Sequence, residues 1–346
     1  MEVKEPQSVL VIRFGAMGDV LLTTPALAAL REKWPNTKII YTTKKMYVDL
    51  IRTHPAIDQI IAFKPDEKIK DFFFRLKEMQ IDYVLDLHDK IRSKILRQIV
   101  PKNRQIVWQK RSGLEGLLVR LGLRTHQPKM HIAQRFHQAV EKMTASQLTR
   151  CPMRYAVDPI SLEFIAKEIE QKIPDANNNI IGIAPAAKWV TKSWPEEHFK
   201  KMSRRLLEKG YKIVLVGSDK DKACCDAIAK AAPEAINYCD ATNFAQLGAL
   251  IGQCKVFIAN DSGPMHMARA LGIPTLAFFG STSPKQFDFT SHQVLFQNLT
   301  CSPCSLYGRK RCPYGHLNCL HMISVDDAWH AFEQLVTKPS GHFVFG

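Results

Sequence analysis

The stretch Ser8-Val9-Leu10-Val11-Ile12-Arg13-Phe14-Gly15-Ala16-Met17-Gly18-Asp19-Val20-Leu21 decides the fold. Its first six residues form an apolar run of strand length, and Leu21 to Lys33 carry helical periodicity. Between them, Gly15 and Gly18 permit the positive-φ or close-packed geometry of a tight strand-to-helix turn. Asp19 falls at or near the helix N-cap, so it reads either as a capping carboxylate or as one presented for chemistry. The turn lacks the G-x-G-x-x-G spacing, which argues against a dinucleotide cofactor.

Outward from this turn the same alternation continues. Lys38–Thr43, Gln59–Phe63 and Asp82–Leu87 read as buried strands, with helical patterns at Lys70–Met79 and Ile132–Met143. After Pro174 it resumes, with strands at Asn179–Ala184, Lys212–Val216, Lys255–Ala259 and Thr275–Phe279. Helices are expected at Glu196–Leu207, Lys220–Ala231, Ala245–Gln253 and Pro264–Leu271. Alternation of this kind predicts parallel sheets covered by helices. With 346 residues, two domains follow: Rossmann-like halves at 1–157 and 175–346, a linker at 158–174, and a last helix at 325–337 that packs back toward the first half. Ligands of such sheets bind at the carboxyl ends of the strands, so function is expected in a cleft where two such edges face each other.

The chain is 46% hydrophobic and 23% charged, as a globular protein is. No run reaches the ~18 apolar residues of a membrane span, and the acidic start has no secretion-signal pattern, so a cytoplasmic location is expected. The formal charge is +15, and the stretch from Lys90 to Met130 holds eleven basic residues against one acid, Glu115. Such concentration reads as a solvated face or as a surface for an anionic partner. A nucleic-acid role would interleave aromatics with these cations; Trp108 is the sole aromatic there, and that role leaves Asp19 unexplained.

Two further strand-to-helix junctions carry chemistry. In Lys188-Trp189-Val190-Thr191-Lys192-Ser193-Trp194-Pro195-Glu196, the proline and glutamate start a helix, and Lys188 and Lys192 precede it where they can neutralise a diphosphate. In Asn260-Asp261-Ser262-Gly263-Pro264-Met265-His266, Ser262 and Gly263 free amides at a helix N-terminus for an anion, with His266 one turn in. Phe279-Gly280-Ser281-Thr282-Ser283-Pro284 adds a polar loop at the same edge.

These motifs, in this order, resemble the heptosyltransferases of lipopolysaccharide core assembly, glycosyltransferase family 9, in a style similar to heptosyltransferase II. The resemblance implies a GT-B fold, ADP-heptose as donor, inversion, and no cofactor required for catalysis. It implies Asp19 as catalytic base, Lys192 as the lysine stabilising the departing diphosphate, and Gly18, Lys188, Ser218, Asp261, Ser262, Gly263 and His266 as donor-binding, Ser262 standing where many relatives have Thr. Lys90, Arg92 and Arg120 are implied to meet an anionic acceptor of the Kdo–lipid A type, with peripheral contact at the inner face of the inner membrane. A GT-B transferase with another acceptor, or a non-catalytic nucleotide-sugar-binding protein, is the alternative.

Nine cysteines without a secretion signal argue against a disulfide framework. Cys301-x2-Cys304-x7-Cys312-x6-Cys319 reads as a candidate structural Zn or Fe site, or as a family loop that holds no metal.

Overall fold

A computed structural model describes residues 3–108, 118–119, 128–175 and 179–337. The chain divides into two compact units, Met1–Arg111 with Met130–Ala156, and Ser112–Lys129 with Val157–Gly346.

The first unit is built on β1 (Ser8–Ile12), β2 (Lys38–Lys44), β3 (Gln59–Phe63), β4 (Tyr83–Asp86) and β5 (Gln105–Val107), all parallel, in the order β3-β2-β1-β4-β5. Every residue of β1 is buried, as a central strand covered on both faces requires. Ile12 registers with Thr42 and with Asp86, so β1 and β4 end together and β2 runs two residues further, to Lys44. The helical pattern after β1 is two helices, α1 (Met17–Leu21) and α2 (Thr24–Lys33). The break is local: Thr23 and Thr24 hydroxyls donate back to the carbonyls of Val20 (2.6 Å) and Leu21 (2.8 Å), and Pro25 removes a donor. α3 (Ile69–Lys77), α4 (Ile91–Leu96) and α5 (Ile132–Thr144) complete the unit, α5 packing on α2.

The segment expected as a linker carries a helix, α6 (Pro159–Lys172), which clusters with the second unit. Asp158 caps it, accepting from the Ser161 N–H at 2.9 Å, and Pro159 opens its first turn. Six parallel strands follow: β6 (Ile180–Ala184), β7 (Lys212–Leu215), β8 (Ile236–Asn237), β9 (Val256–Asn260), β10 (Thr275–Phe279) and β11 (Gln293–Phe296), in the order β11-β10-β9-β6-β7-β8. This is the doubly wound dinucleotide-fold order, whose switch point lies between β6 and β9. Helices α7 (Glu196–Glu208), α8 (Lys222–Ala231), α9 (Phe244–Gly252), α10 (Gly263–Ala270), α11 (Asn318–His321) and α12 (Val325–Thr337) flank it. The last of these, α12, buries Ala328, Trp329, Ala331, Phe332 and Leu335 in the core of its own unit, against α7 and β9–β11.

Candidate active site

In the first unit the switch point lies between β1 and β4, and the turn holding Asp19 sits there. Asp19 is not the N-cap of α1. Ala16 holds that position, and Asp19, three residues in, reaches back to accept the Ala16 N–H at 3.2 Å through Oδ2. The same oxygen takes the Arg13 guanidinium at 2.5 Å. No hydrogen bond among the described residues involves Oδ1, and the side chain is 37% exposed. One carboxylate oxygen is thus fixed while the other makes no such bond.

Arg13 is buried and spends its donors across the switch point, on the Gly15 carbonyl (3.1 Å), the Leu87 carbonyl and Asp19. Gly15 is required as glycine, because φ is +132° and a Cβ would stand 2.5 Å from the Tyr47 ring. Gly18 lies inside α1, its carbonyl bonded to the Leu22 N–H at 2.9 Å. Lys90 caps α4 at the carboxyl end of β4, and Arg92 places its guanidinium 5.4 Å from the centre of the Phe63 ring. Both are exposed. Arg120 lies outside the described residues.

In the second unit, Lys192 and Asp261 meet at the β6/β9 switch point, Nζ to Oδ2 at 2.8 Å, with 15% and 5% of their side chains exposed. Asp261 Oδ2 also accepts from the Thr282 hydroxyl at 2.6 Å. Burial raises this carboxyl's pKa most, but the Lys192 ammonium together with the hydrogen bonds from Lys192 and Thr282 outweighs it and holds the group below the usual range. His266 is buried and held neutral, its pKa pushed down to about 3 by burial and then by Arg269. The Arg269 guanidinium lies 3.3 Å from His266 Nδ1. An arginine only donates, so Nδ1 accepts and the ring proton resides on Nε2. Ser262 is the N-cap of α10, and its buried hydroxyl has no hydrogen-bond partner among the described residues. Together with the α10 amides from Gly263 on, it offers donors to an anion. Lys188 is exposed, with its ammonium 5.4 Å from the Trp189 ring centre, and Ser218, beyond β7, pairs with Asp221 at 2.8 Å.

The four cysteines of the loop read as a metal site or as a metal-free family loop lie in Cys301–Cys319. The four thiols are close enough to influence one another, yet among the described residues no three His, Cys, Asp or Glu side chains form a group able to hold a metal ion. Cys319 is carried by α11 into the core, where burial pushes its thiol up to about 12. The loop also braces Lys192. Ser302 and Ser305 bond to the Gly280 and Ser281 carbonyls, and the Arg309 N–H bonds to Thr191 Oγ1 at 2.8 Å. Gly308, at φ +96°, leaves room where a Cβ would stand 2.8 Å from Lys192 Cδ and 2.5 Å from Trp189 Cδ1.

Residues 69–317 match the family described as glycosyltransferase family 9 (heptosyltransferase). The chain belongs to that family. This family 9 glycosyltransferase is 27% identical over 301 residues to lipopolysaccharide heptosyltransferase 3 of Escherichia coli, covering 77% of this chain and 81% of the relative. The crystal structure of the glycosyl transferase family 9 from Veillonella parvula superposes with a TM-score of 0.82 at 19% identity, covering 98% of this chain and 99% of that one. E. coli ADP-heptose LPS heptosyltransferase II superposes at 0.73 with 20% identity, covering 95% and 98%. The fold of the transferase is therefore GT-B.

Sequence reading missed three residues that organise these sites. Arg13 ends the β1 run, where it reads as an ordinary strand-end cation. Asn260 ties the two loops of the switch point, its Oδ1 accepting the Trp194 N–H at 2.8 Å and its Nδ2 donating to the Pro185 carbonyl at 2.7 Å. Thr282 stood in a loop noted only as polar. The signal available for Arg13 and Asn260 was their place at a strand's carboxyl end.

Proposed function

We propose that this glycosyltransferase moves heptose from ADP-heptose to the inner core of lipopolysaccharide, onto a Kdo or heptose hydroxyl, with inversion, at the cytoplasmic face of the inner membrane. The observation that carries the reading is Asp19, with Oδ2 anchored by Arg13 and the Ala16 amide and Oδ1 left for a substrate proton. In a single displacement the acceptor oxygen bonds to the anomeric carbon as the bond from that carbon to the diphosphate breaks. The hydroxyl proton passes to Asp19 and the electron pair leaves with ADP. Lys192, the Ser262 hydroxyl, the α10 amides and the neutral His266 Nε2–H supply positive charge and donors for the diphosphate that leaves. Lys90 and Arg92 supply cations for acidic groups on the acceptor.

The test is Asp19→Asn, assayed by ADP release from ADP-heptose with a panel of truncated core acceptors. The variant should bind ADP as the native enzyme does and lose transfer by roughly a hundred- to ten-thousand-fold. Near-native transfer by Asp19→Asn removes the base assignment. Turnover of another nucleotide sugar in preference to ADP-heptose removes the donor assignment.

A further inference from the structure

One arginine of the second unit, given no part in the reaction so far, is built around His266. Arg269 stands three residues further along α10, on the same side of the helix. Its guanidinium meets His266 Nδ1 at 3.3 Å, and its other terminal nitrogen donates to the Asp288 main-chain carbonyl. Phe289 lies against it, with the guanidinium carbon 4.4 Å from the ring centre. Phe287, from the same segment, meets the His266 ring in a T-shaped contact with 4.6 Å between ring centres. The buried imidazole is thus held from two sides, by a cation on its own helix and by an aromatic next to the carbonyl that holds that cation.

An unconstrained imidazole would serve an anion site poorly, because its proton moves between Nδ1 and Nε2 and the ring charges near pH ~6.5. The charged groups facing His266 come from three elements: Arg269 from α10, Asp261 from the end of β9 and Lys192 from the segment before α7. Asp261 draws a proton toward the ring, and the two cations oppose it. Arg269 does so in contact with the ring. A guanidinium has no acceptor, so this contact is lost in the imidazolium and in the Nδ1–H tautomer alike, and is made with the proton on Nε2. We propose that Arg269 is a positioning residue for transfer: it fixes His266 as the Nε2–H tautomer, so that the ring offers one oriented donor to the diphosphate of the nucleotide sugar. Arg269 acts through His266 and not on the phosphates. This rests on the proposed reading of His266 as a diphosphate contact.

The experiment is a double-mutant cycle of Arg269→Met and His266→Phe in the full chain, read by calorimetric titration with ADP, together with nitrogen NMR of the histidine rings. His266→Phe should weaken ADP binding about tenfold or more, as loss of one hydrogen bond to a charged group does. Arg269→Met should weaken it by about as much, and the double variant should bind no worse than His266→Phe alone. In the native spectra, the ring signals that His266→Phe deletes should show Nδ1 bare and Nε2 protonated at pH 7 and at pH 5. In Arg269→Met the same ring should take up its proton at a higher pH than in the native protein, because a cation facing it has gone. The proposal is overturned by Arg269→Met that binds ADP as the native protein does while His266→Phe does not. It is overturned by losses that add in the double variant, which would make Arg269 a phosphate contact in its own right. It is overturned too if Arg269→Met lowers the melting temperature and leaves the protonation of His266 unchanged, as an arginine with a structural role alone would. Should Arg269→Met fail to fold, a proton on Nδ1 in the native spectra still overturns it. Failure of the diphosphate reading appears separately, as native ADP affinity in His266→Phe, and overturns the positioning role with it.

Discussion

Replacing Lys192 by Met separates the two roles of the Lys192–Asp261 pair. The pair is almost withdrawn from water, and Asp261 has one further side-chain donor, Thr282 at 2.6 Å. Lys192→Met therefore strands a buried carboxylate, and breaking a buried pair from one side costs about 3–5 kcal/mol. At roughly 2–4 °C of melting temperature per kcal/mol for a domain of this size, the second unit should melt about 10 °C lower. If Lys192 also stabilises the departing diphosphate, turnover should fall a further hundred- to thousand-fold or so, as loss of one preorganised charge-stabilising group does. The double variant Lys192→Met with Asp261→Asn removes both charges and keeps an oxygen for the Thr282 hydroxyl. It should regain most of the melting temperature and none of the turnover. Calorimetry and ADP-release kinetics on the four members of the cycle read the two effects apart. A Lys192→Met variant that melts within about 1 °C of native refutes the burial argument, and a double variant with restored turnover refutes the leaving-group role.

Gly308→Ala places a Cβ against Lys192 Cδ and Trp189 at a φ of +96°, so turnover should drop about tenfold while binding of the acceptor is unchanged, read from kcat and the two KM values. Stability should fall in mild acid. Burial holds His266 at about 3 and His54 and His292 at about 4, below the ~6.5 of an unfolded imidazole. Their contribution is complete above pH ~6.5. It is lost as pH falls toward 4, by at most about 1.4 kcal/mol per pH unit for each histidine, because the unfolded chain takes protons the native one refuses. Urea midpoints at pH 7 and 5 measure this, and His292→Gln should flatten the dependence.

The long strands were legible because parallel central strands are continuous apolar runs: Gln59–Phe63 and Thr275–Phe279 fall as read, and β1 differs by one residue. β5, β8 and β11 were not, since three, two and four residues at or near a sheet edge carry no period. The polarity of residues 158–174 suggested a linker, although α6 buries only Ser161, Ile165 and Ile169, a stripe narrow enough to be outvoted by its charged face. Leu21–Lys33 read as one helix because its periodicity ignores side-chain hydroxyls, and it is the Thr23 and Thr24 hydroxyls that turn the chain.

The candidate site residues were read from a different signal. Asp19, Lys192 and Asp261 each follow a strand whose identity was clear, and a strand's carboxyl end is where a doubly wound sheet presents function. What sequence could not show is who holds them, since each holder acts across a long separation: Arg13 on the Leu87 carbonyl, Asn260 on Pro185 and Trp194, Gly308 beside Lys192. The structure gives both switch points one construction. A charged group offered by one strand end is fixed by a partner that also grips the loop of the neighbouring strand, so neither can shift without moving the other. In the first unit the two contacts of Asp19 share one oxygen. Asp19 does bond a helix-start amide, but with the oxygen that Arg13 already occupies. The cap and the ion pair thus orient Oδ2, and the proposed role as base falls to Oδ1, so Asp19→Asn, which keeps an oxygen for the Ala16 amide, is the variant that tells the proposed role from a capping one.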